Sequence, residues 1–311
     1  VGAVKAGRAD APGGAGGTLY VVATPIGNLG DVTHRALDVL RAVPLIAAED
    51  TRITRRLLDR YHVPTPTTSY HAQSAPARED ELLAHLASGA DLALVTDAGT
   101  PLVSDPGEGL VARWASAGGR VTAVPGASSV LAAVAATGIA GPRWSFEGFL
   151  PRTGRERRER LEGLAADERG TVLLEAPGRL AATLADLTAA CGGDRPGAVC
   201  RELTKLHEQV VRGPLGELAL AASNGTIPPR GEVVIVVGWE RGAIISRGRG
   251  GGSGARDATP HEARDAVMAA ARDAVQRLVD GGVARGEAAR RVSAETGVPR
   301  RELYVTSPRE D

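Results

Sequence analysis

The feature that most constrains this chain is its rhythm. Short aliphatic and β-branched runs each close on a Pro- or Gly-bearing turn and give way to a segment with helical spacing. The runs LYVVAT, LIAA, LALVT and RVTAVP, at 19–24, 45–48, 92–96 and 120–125, alternate with helical patterns near 33–42, 52–60, 106–117 and 128–136. A strand followed by a helix and a further strand must cross over and return parallel, so this half reads as α/β with a mainly parallel sheet. The Ala, Val and Leu of the 128–136 helix predict burial on every side. Past Gly141-Pro142 a second series begins with WSFEGF at 144–149 and continues through TVLLEA at 171–176, a helix at 180–190, GAVCREL at 197–203, a helix at 214–222 and EVVIVVG at 232–238. The fold class expected is therefore α/β with two α/β domains, at 18–141 and 142–240. Residues 1–17, rich in Gly and Ala, read as a disordered tail, and 241–260 as a flexible linker. Residues 261–311 read as a small helical module with a break at Gly297-Val298-Pro299.

Composition narrows the partners. The 37 basic residues balance 37 acidic ones, so no overall cationic field exists and any nucleic acid must be met by a local patch. Two arginine concentrations qualify: Arg52, Arg55, Arg56 and Arg60, then Arg152, Arg155, Arg157, Arg158 and Arg160. In the second, Glu156 and Glu159 intervene, so a self-paired solvated helix face competes with RNA contact. Phe and Tyr are scarce, which argues against extensive base stacking. No run of apolar residues is long enough to span a membrane, and the first residues lack the order of a secretory leader. Cys191 and Cys200 make neither a disulfide framework nor a Cys-x-x-Cys pair, which fits a reducing cytoplasm. The six His residues have no metal-ligand spacing, so no metal is expected.

Three loops carry the polar chemistry: TPIGNLGD at 24–31, TDAGTPLVSDPG at 96–107 and VPGASS at 124–129. Each follows an apolar strand, and ligands of α/β sheets bind outside strand C-termini. Each loop alone is explicable as a turn with a helix cap, such as Asp31 or Thr33 after the first. Their common position at one end of successive strands predicts that they converge. The glycines do not form G-x-G-x-x-G, so a dinucleotide site is not supported.

LYVVATPIGNLGD, LIAAEDTR, ALVTDAGTPLVSDPG, VPGAS, FEGFLPR, RELTKLHE and GEVVIVV, in this order, resemble the ribosomal RNA small-subunit methyltransferase I family of the tetrapyrrole-methylase superfamily. The likeness runs from about Leu19 to Gly238, and the C-terminal EAARRVSAETGVPRRELY is similar to a module many members carry. The resemblance implies S-adenosylmethionine held between two α/β domains, a homodimer, and no metal. It implies transfer of a methyl group to a cytidine 2′-hydroxyl of 16S rRNA, at the position conventionally numbered 1402; the need to reach a folded site makes the assembled 30S subunit, more than naked RNA, the expected substrate. On the cofactor it places Pro25 and Gly27, then Gly99, Thr100, Pro101 and Val103, then Ser128 and Ser129, with Leu174 and Glu175 over the adenine. Many members have Tyr-Glu-Ser-Pro-His-Arg where this chain has Leu174-Glu175-Ala176-Pro177-Gly178-Arg179, which removes an imidazole from acid–base proposals.

A ribose hydroxyl is poorly acidic, so a general base would help. Glu49, Asp50 and Asp97 are candidates. For Glu49 and Asp50 the competing role is capping of the helix that begins at Arg52. Lys205 is placed either to lower the hydroxyl pKa or to hold phosphate, and His207 reads as structural. Arg52, Arg55, Arg56, Arg152, Arg155, Arg157 and Arg158 are the expected RNA contacts. Two other readings stay open: a methylase of a precorrin-like tetrapyrrole, and a non-catalytic cofactor- or ribosome-binding protein.

Overall fold

The computed structural model describes residues 16–74, 76–239, 260–296 and 298–303. It divides into two compact units, 1–244 and 245–311. The first unit opens with five strands, β1 (Thr18–Val22), β2 (Leu45–Ala48), β3 (Thr67–Ser69), β4 (Leu92–Val95) and β5 (Arg120–Val124), all parallel in the order β3-β2-β4-β1-β5. Helices α1 (His34–Ala42), α2 (Thr51–Arg60), α3 (Pro76–Ala87), α4 (Glu108–Ser116) and α5 (Ser129–Thr137) connect and follow them. The two-residue period of a strand divides the core. Leu92 and Leu94 pack with Leu82, Leu86, Leu110 and Trp114 on one face, while Ala93 and Val95 pack with Leu37, Leu40, Leu57 and Leu58 on the other. Each fully buried leucine is worth roughly 1.5–3 kcal/mol.

The second half carries β6 (Trp144–Phe149), α6 (Gly154–Ala166), β7 (Gly170–Glu175), α7 (Leu180–Cys191), β8 (Pro196–Arg201), β9 (Gln209–Pro214), α8 (Leu215–Ser223) and β10 (Val233–Val237). Its sheet runs β6-β7-β10-β8-β9, and only β6 and β7 are parallel. One face lies under α6, α7 and α8 through Leu161, Leu173, Leu184, Leu215 and Ile235. The other, through Val172, Ala198, Cys200, Val234 and Val236, packs with Ile26, Val130 and Ala133 of the first half. The two sheets thus share a core and belong to one unit.

Several expectations are corrected. Gly16 and Gly17, assigned to the tail, are ordered: the Gly17 N–H donates to the Leu86 carbonyl at 2.7 Å, and a Cβ on Gly17 would lie 1.9 Å from the Ala90 carbonyl oxygen. Only the lack of a side chain lets the backbone pass there. Helix α5 is not buried all round. It turns Val130, Ala133 and Thr137 inward and leaves Leu131 59% exposed, because it packs by one face, chiefly on the second sheet. Strands β3 and β9 and helix α3 add to the pattern read from sequence. β3 is a three-residue polar edge strand after Pro64 and Pro66, and edges tolerate such residues.

The second unit contains α9 (Pro260–Asp280), α10 (Arg285–Thr296) and a 3₁₀ turn at Arg300–Leu303 around Ala271, Val275, Ala288, Val292, Val298 and Leu303. The expected linker, apart from Pro260, lies outside the described residues. Among the described residues no helix is long and apolar enough to cross a membrane.

Arg195, 4% exposed, fastens the second sheet to its helices. Its guanidinium donates to the carbonyls of Gly238 (3.2 Å), Leu164 (3.3 Å), Asp167 (3.0 Å) and Arg169 (3.0 Å). Arg195→Met keeps the aliphatic stem and strands these acceptors, each worth about 1–3 kcal/mol when left unmade, though some will find water. The expected loss is about 3 kcal/mol, read as a fall of roughly 6–12 °C in the thermal unfolding midpoint.

Candidate active site

The three loops meet. Thr24 and Gly99 exchange backbone hydrogen bonds of 2.8 and 3.0 Å, and the Thr24 hydroxyl donates to the Thr96 carbonyl at 3.1 Å. The Thr100 hydroxyl donates to the Ala127 carbonyl at 3.3 Å, tying in the third loop. Gly126 closes it against the first: a Cβ there would lie 2.9 Å from that of Ala23. Pro25, Gly99 and Pro101 are buried in this junction, whereas Gly27 and Val103 are exposed. Ser128 caps α5, accepting the Leu131 N–H at 3.4 Å, and Ser129 is the helix's first residue.

Across from this junction runs the turn that joins β8 to β9. Lys205 lies over Gly27 so closely that a Cβ on the glycine, at φ +154°, would sit 2.4 Å from the lysine Cγ. Its ammonium donates to Glu202 at 2.9 Å and pairs with Glu232 at 3.1 Å. Burial works against that charge, but the two carboxylates outweigh it and hold the lysine above its ordinary pKa. An ammonium so engaged is poorly placed to lower the pKa of a hydroxyl or to hold phosphate. Backbone strain gathers on the same two loops: Leu102, Ser104, Glu202 and Thr204 all have φ between 53° and 74°. Ser104 also reaches the second sheet, where a Cβ on Gly148 would lie 3.0 Å from its hydroxyl oxygen. His207 is exposed.

At the ends of β2 and β4 the carboxylates interlock. Glu49 accepts the Asp97 N–H at 3.3 Å, and Asp97 accepts the Asp50 N–H at 3.0 Å. Asp50 serves as the cap: it accepts the Arg52 N–H at 2.8 Å and pairs with the Arg52 guanidinium at 2.6 Å. That guanidinium holds Asp50 well below the usual carboxylate range, which makes it a feeble base. Burial pushes Glu49 and Asp97 upward. Asp105, passed over as a base in the sequence because it stands in a turn before Pro106-Gly107, is pushed to about 6 by burial and then by the charge of Glu49. It faces a cavity of about 460 Å³ lined also by Tyr70, His71 and Glu79. The signal available in the sequence was its place in the same polar strand-end loop as Asp97.

Residues 18–219 match the model of the tetrapyrrole (corrin/porphyrin) methylases. The ribosomal RNA small subunit methyltransferase I of Synechocystis sp. is 43% identical over 94% of this chain and 97% of its own length, and that of Bacillus subtilis is 38% identical over 93% of each. This chain belongs to that methyltransferase I family. Among solved structures, a cobalt precorrin-4 methyltransferase of cobalamin biosynthesis superposes with a TM-score of 0.55 at 20% identity, covering 71% of this chain and 95% of its own. A uroporphyrin-III C-methyltransferase from Thermus thermophilus, complexed with S-adenosylhomocysteine, gives 0.52 at 19% over 72% and 97%. At such identities these two establish the shared fold.

For Glu175, placed by the resemblance, and Arg157, placed by the arginine concentrations, the structure gives another role. Alternation along β7 turns Leu174 toward the shared core and Glu175 to the opposite face. Glu175 is 3% exposed, accepts the Thr183 hydroxyl at 2.5 Å and the Ala176 N–H at 2.7 Å, and pairs with Arg179 at 3.3 Å, so its carboxylate is not available over an adenine. Arg157, 8% exposed, is no surface contact: it donates to Asp186 at 2.7 Å, to Thr183 at 3.1 Å and to the Pro151 carbonyl at 2.9 Å. Arg155 pairs with Glu159 at 2.5 Å, as the interleaved glutamates foreshadowed for that helix, while Arg160 pairs at 2.5 Å with Glu147 of β6. Arg55, Arg56, Arg152 and Arg158 are exposed, and among the described residues no carboxylate lies within ion-pair distance of them.

A carboxyl whose pKa is higher folded than unfolded binds its proton more tightly in the fold. It therefore costs stability once pH passes the unfolded value near 4, and the cost is complete above about 6. Asp105→Asn is expected to raise stability at pH 7.5 by about 1–2 kcal/mol, discounted for partial exposure, with the gain vanishing near pH 4. Denaturant midpoints measured at the two pH values check this.

Proposed function

We propose that the protein transfers the methyl group of S-adenosylmethionine to the 2′-hydroxyl of the cytidine conventionally numbered 1402 in 16S rRNA, within the 30S subunit. The observation that carries this is kinship along nearly the whole chain with ribosomal RNA small subunit methyltransferase I proteins. The site supports it. The apolar Ile26, Ala127 and Leu174 suit an adenosine, the missing side chain at Gly99 suits close approach, and a carboxylate-rich rim suits a sulfonium, with the Lys205 stem lying over Gly27 at the edge of the site. Pro25, Gly27, Gly99, Thr100, Pro101, Val103, Ser128 and Ser129, with Leu174 from the second sheet, are the residues proposed to hold it.

When bound, the cofactor supplies a methyl carbon made electrophilic by the adjacent positive sulfur. The chain's own work is to exclude water, align the hydroxyl and take its proton. We assign the proton to Asp105: the O–H bond breaks toward its carboxylate as the oxygen bonds carbon and the carbon–sulfur bond breaks. Burial, and after it the charges of Glu49 and Asp97, keep that carboxylate's proton affinity high, and Asp50 holds Arg52 in place. A homodimer is part of the same reading, as is a cytoplasmic setting. Exposed Leu131, Leu206 and Leu220 offer apolar surface for subunit contact, and sedimentation velocity tests it.

The deciding experiment uses labelled S-adenosylmethionine with 30S subunits lacking the modification, followed by nuclease digestion and mass analysis. A 2′-O-methylcytidine at one position is expected. No transfer to 30S subunits or free rRNA, with the cofactor still bound, overturns the reading and moves a tetrapyrrole acceptor to first place. The base has its own signature: kcat should rise tenfold per pH unit below about 6 and level off above. Asp105→Asn should lower kcat by about 10²–10⁴ and flatten that limb.

A further inference from the structure

The chain has only two phenylalanines. Phe146 lies in the shared core, while Phe149, at the end of β6, is 53% exposed. An exposed aromatic ring costs solvation. Phe149 opens onto a cavity of about 890 Å³, well within the range of a ligand site, whose walls include Pro151, Arg152, Ala176, Arg179 and Ala182. The floor is rigid: Arg157 and Asp186 are paired at 2.7 Å, and Arg179 is anchored on the Leu150 carbonyl at 2.9 Å.

Charge selects the occupant. Three arginines line the cavity against one aspartate, which Arg157 neutralises. Arg179 is matched by Glu175, and Arg152 is left uncompensated among the described residues. Arg152 also stands just before α6, whose cap residue Thr153 makes no side-chain hydrogen bond, so the first N–H groups of a thirteen-residue helix add positive potential. A flat apolar ring beside an unspent cation is the pairing that receives a nucleobase and its phosphate. Position agrees, because Gly148, the neighbour of Phe149, is the residue that Ser104 approaches from the loop bearing Asp97 and Asp105.

We propose that this cavity seats a nucleotide flanking the target in single-stranded RNA, with its base stacked on Phe149 and its phosphate on Arg152. The seat rests on the RNA-methylation reading and adds to it: specificity comes partly from one unstacked neighbour held outside the reaction site. Because every base has a π-face, the seat selects for an unpaired strand more than for a sequence.

The test compares wild type with Phe149→Ala, Phe149→Tyr and Arg152→Gln on unmodified 30S subunits. Phe149→Ala should raise KM for 30S about tenfold, leave KM for S-adenosylmethionine unchanged, and be rescued by Phe149→Tyr. Arg152→Gln should reduce the slope of log affinity against log salt by about 1 in filter binding to 30S. An unchanged 30S KM and salt slope in active enzyme overturns the seat while leaving methylation standing. A shift in sedimentation of Phe149→Ala also overturns it, since a second copy of the chain would then be what covers the ring. Absence of methyl transfer by the wild type removes the seat together with the reading beneath it.

Discussion

The paired backbone hydrogen bonds between Thr24 and Gly99 are the constraint on which the site depends. Parallel strands end side by side, but their following loops have no reason to touch unless something draws them across the sheet edge. The bridge does so, and it demands a residue at position 99 that accepts φ +80°, where a glycine stands. Once Gly99 is fixed, Thr100 reaches Ala127 and the third loop follows. The chain between Gly99 and Gly107 must then return to α4 over few residues, which forces Leu102 and Ser104 into left-handed conformations. Strain at these positions is a consequence of closing the junction, and it fixes the direction in which Asp97 and Asp105 point.

Such a site opposes folding. Left-handed non-glycine residues cost about 1–3 kcal/mol each, and crowded carboxylates add electrostatic cost above pH 6. The offset comes from elsewhere in the same unit. Leu92, Leu94, Leu173 and Ile235 are fully buried, and Arg195 satisfies four carbonyls at the end of the second sheet. Because α5 packs against the second sheet while its cap Ser128 belongs to the third loop, the shared core also holds the two walls of the site in register. Stability and site geometry are thereby joined through one helix.

Much of this was legible in the sequence. Aliphatic or aromatic runs mark every strand of four or more residues except β9, and Thr33 and Asp50 mark helix starts where they cap α1 and α2. Strand-end position alone predicted that the three loops meet. What escaped follows physical rules. β3 is polar and three residues long, so it lacks the hydrophobic alternation that identifies a strand. The two faces of β7 could not be told apart within TVLLEA because nearly all of it is buried, and Glu175 was therefore assigned to the wrong side. Arg157 looked like its neighbours in an arginine-rich stretch. Its partner Asp186 is 29 residues away, and only the packing of α6 on α7 makes a buried pair of them. Asp105 was hidden by its Pro-Gly setting, which reads as turn chemistry whatever its surroundings.

The charge balance bears on how RNA would be recognised. With 37 charges of each sign, and Arg52, Arg155, Arg157 and Arg160 paired with carboxylates, five of the nine arginines in the two concentrations remain for phosphates. Affinity from counterion release scales with the number of phosphates neutralised, so Arg55, Arg56, Arg60, Arg152 and Arg158 can provide only a modest salt-dependent component. A protein so provisioned would not hold RNA of arbitrary sequence tightly. Discrimination then falls to shape: a folded ribosomal surface that presents an unstacked nucleotide where the strained loops converge and offers its neighbour to the exposed ring of Phe149. Weak electrostatic attraction becomes an advantage in a cell crowded with RNA, because the wrong strands are released before they can occupy the site.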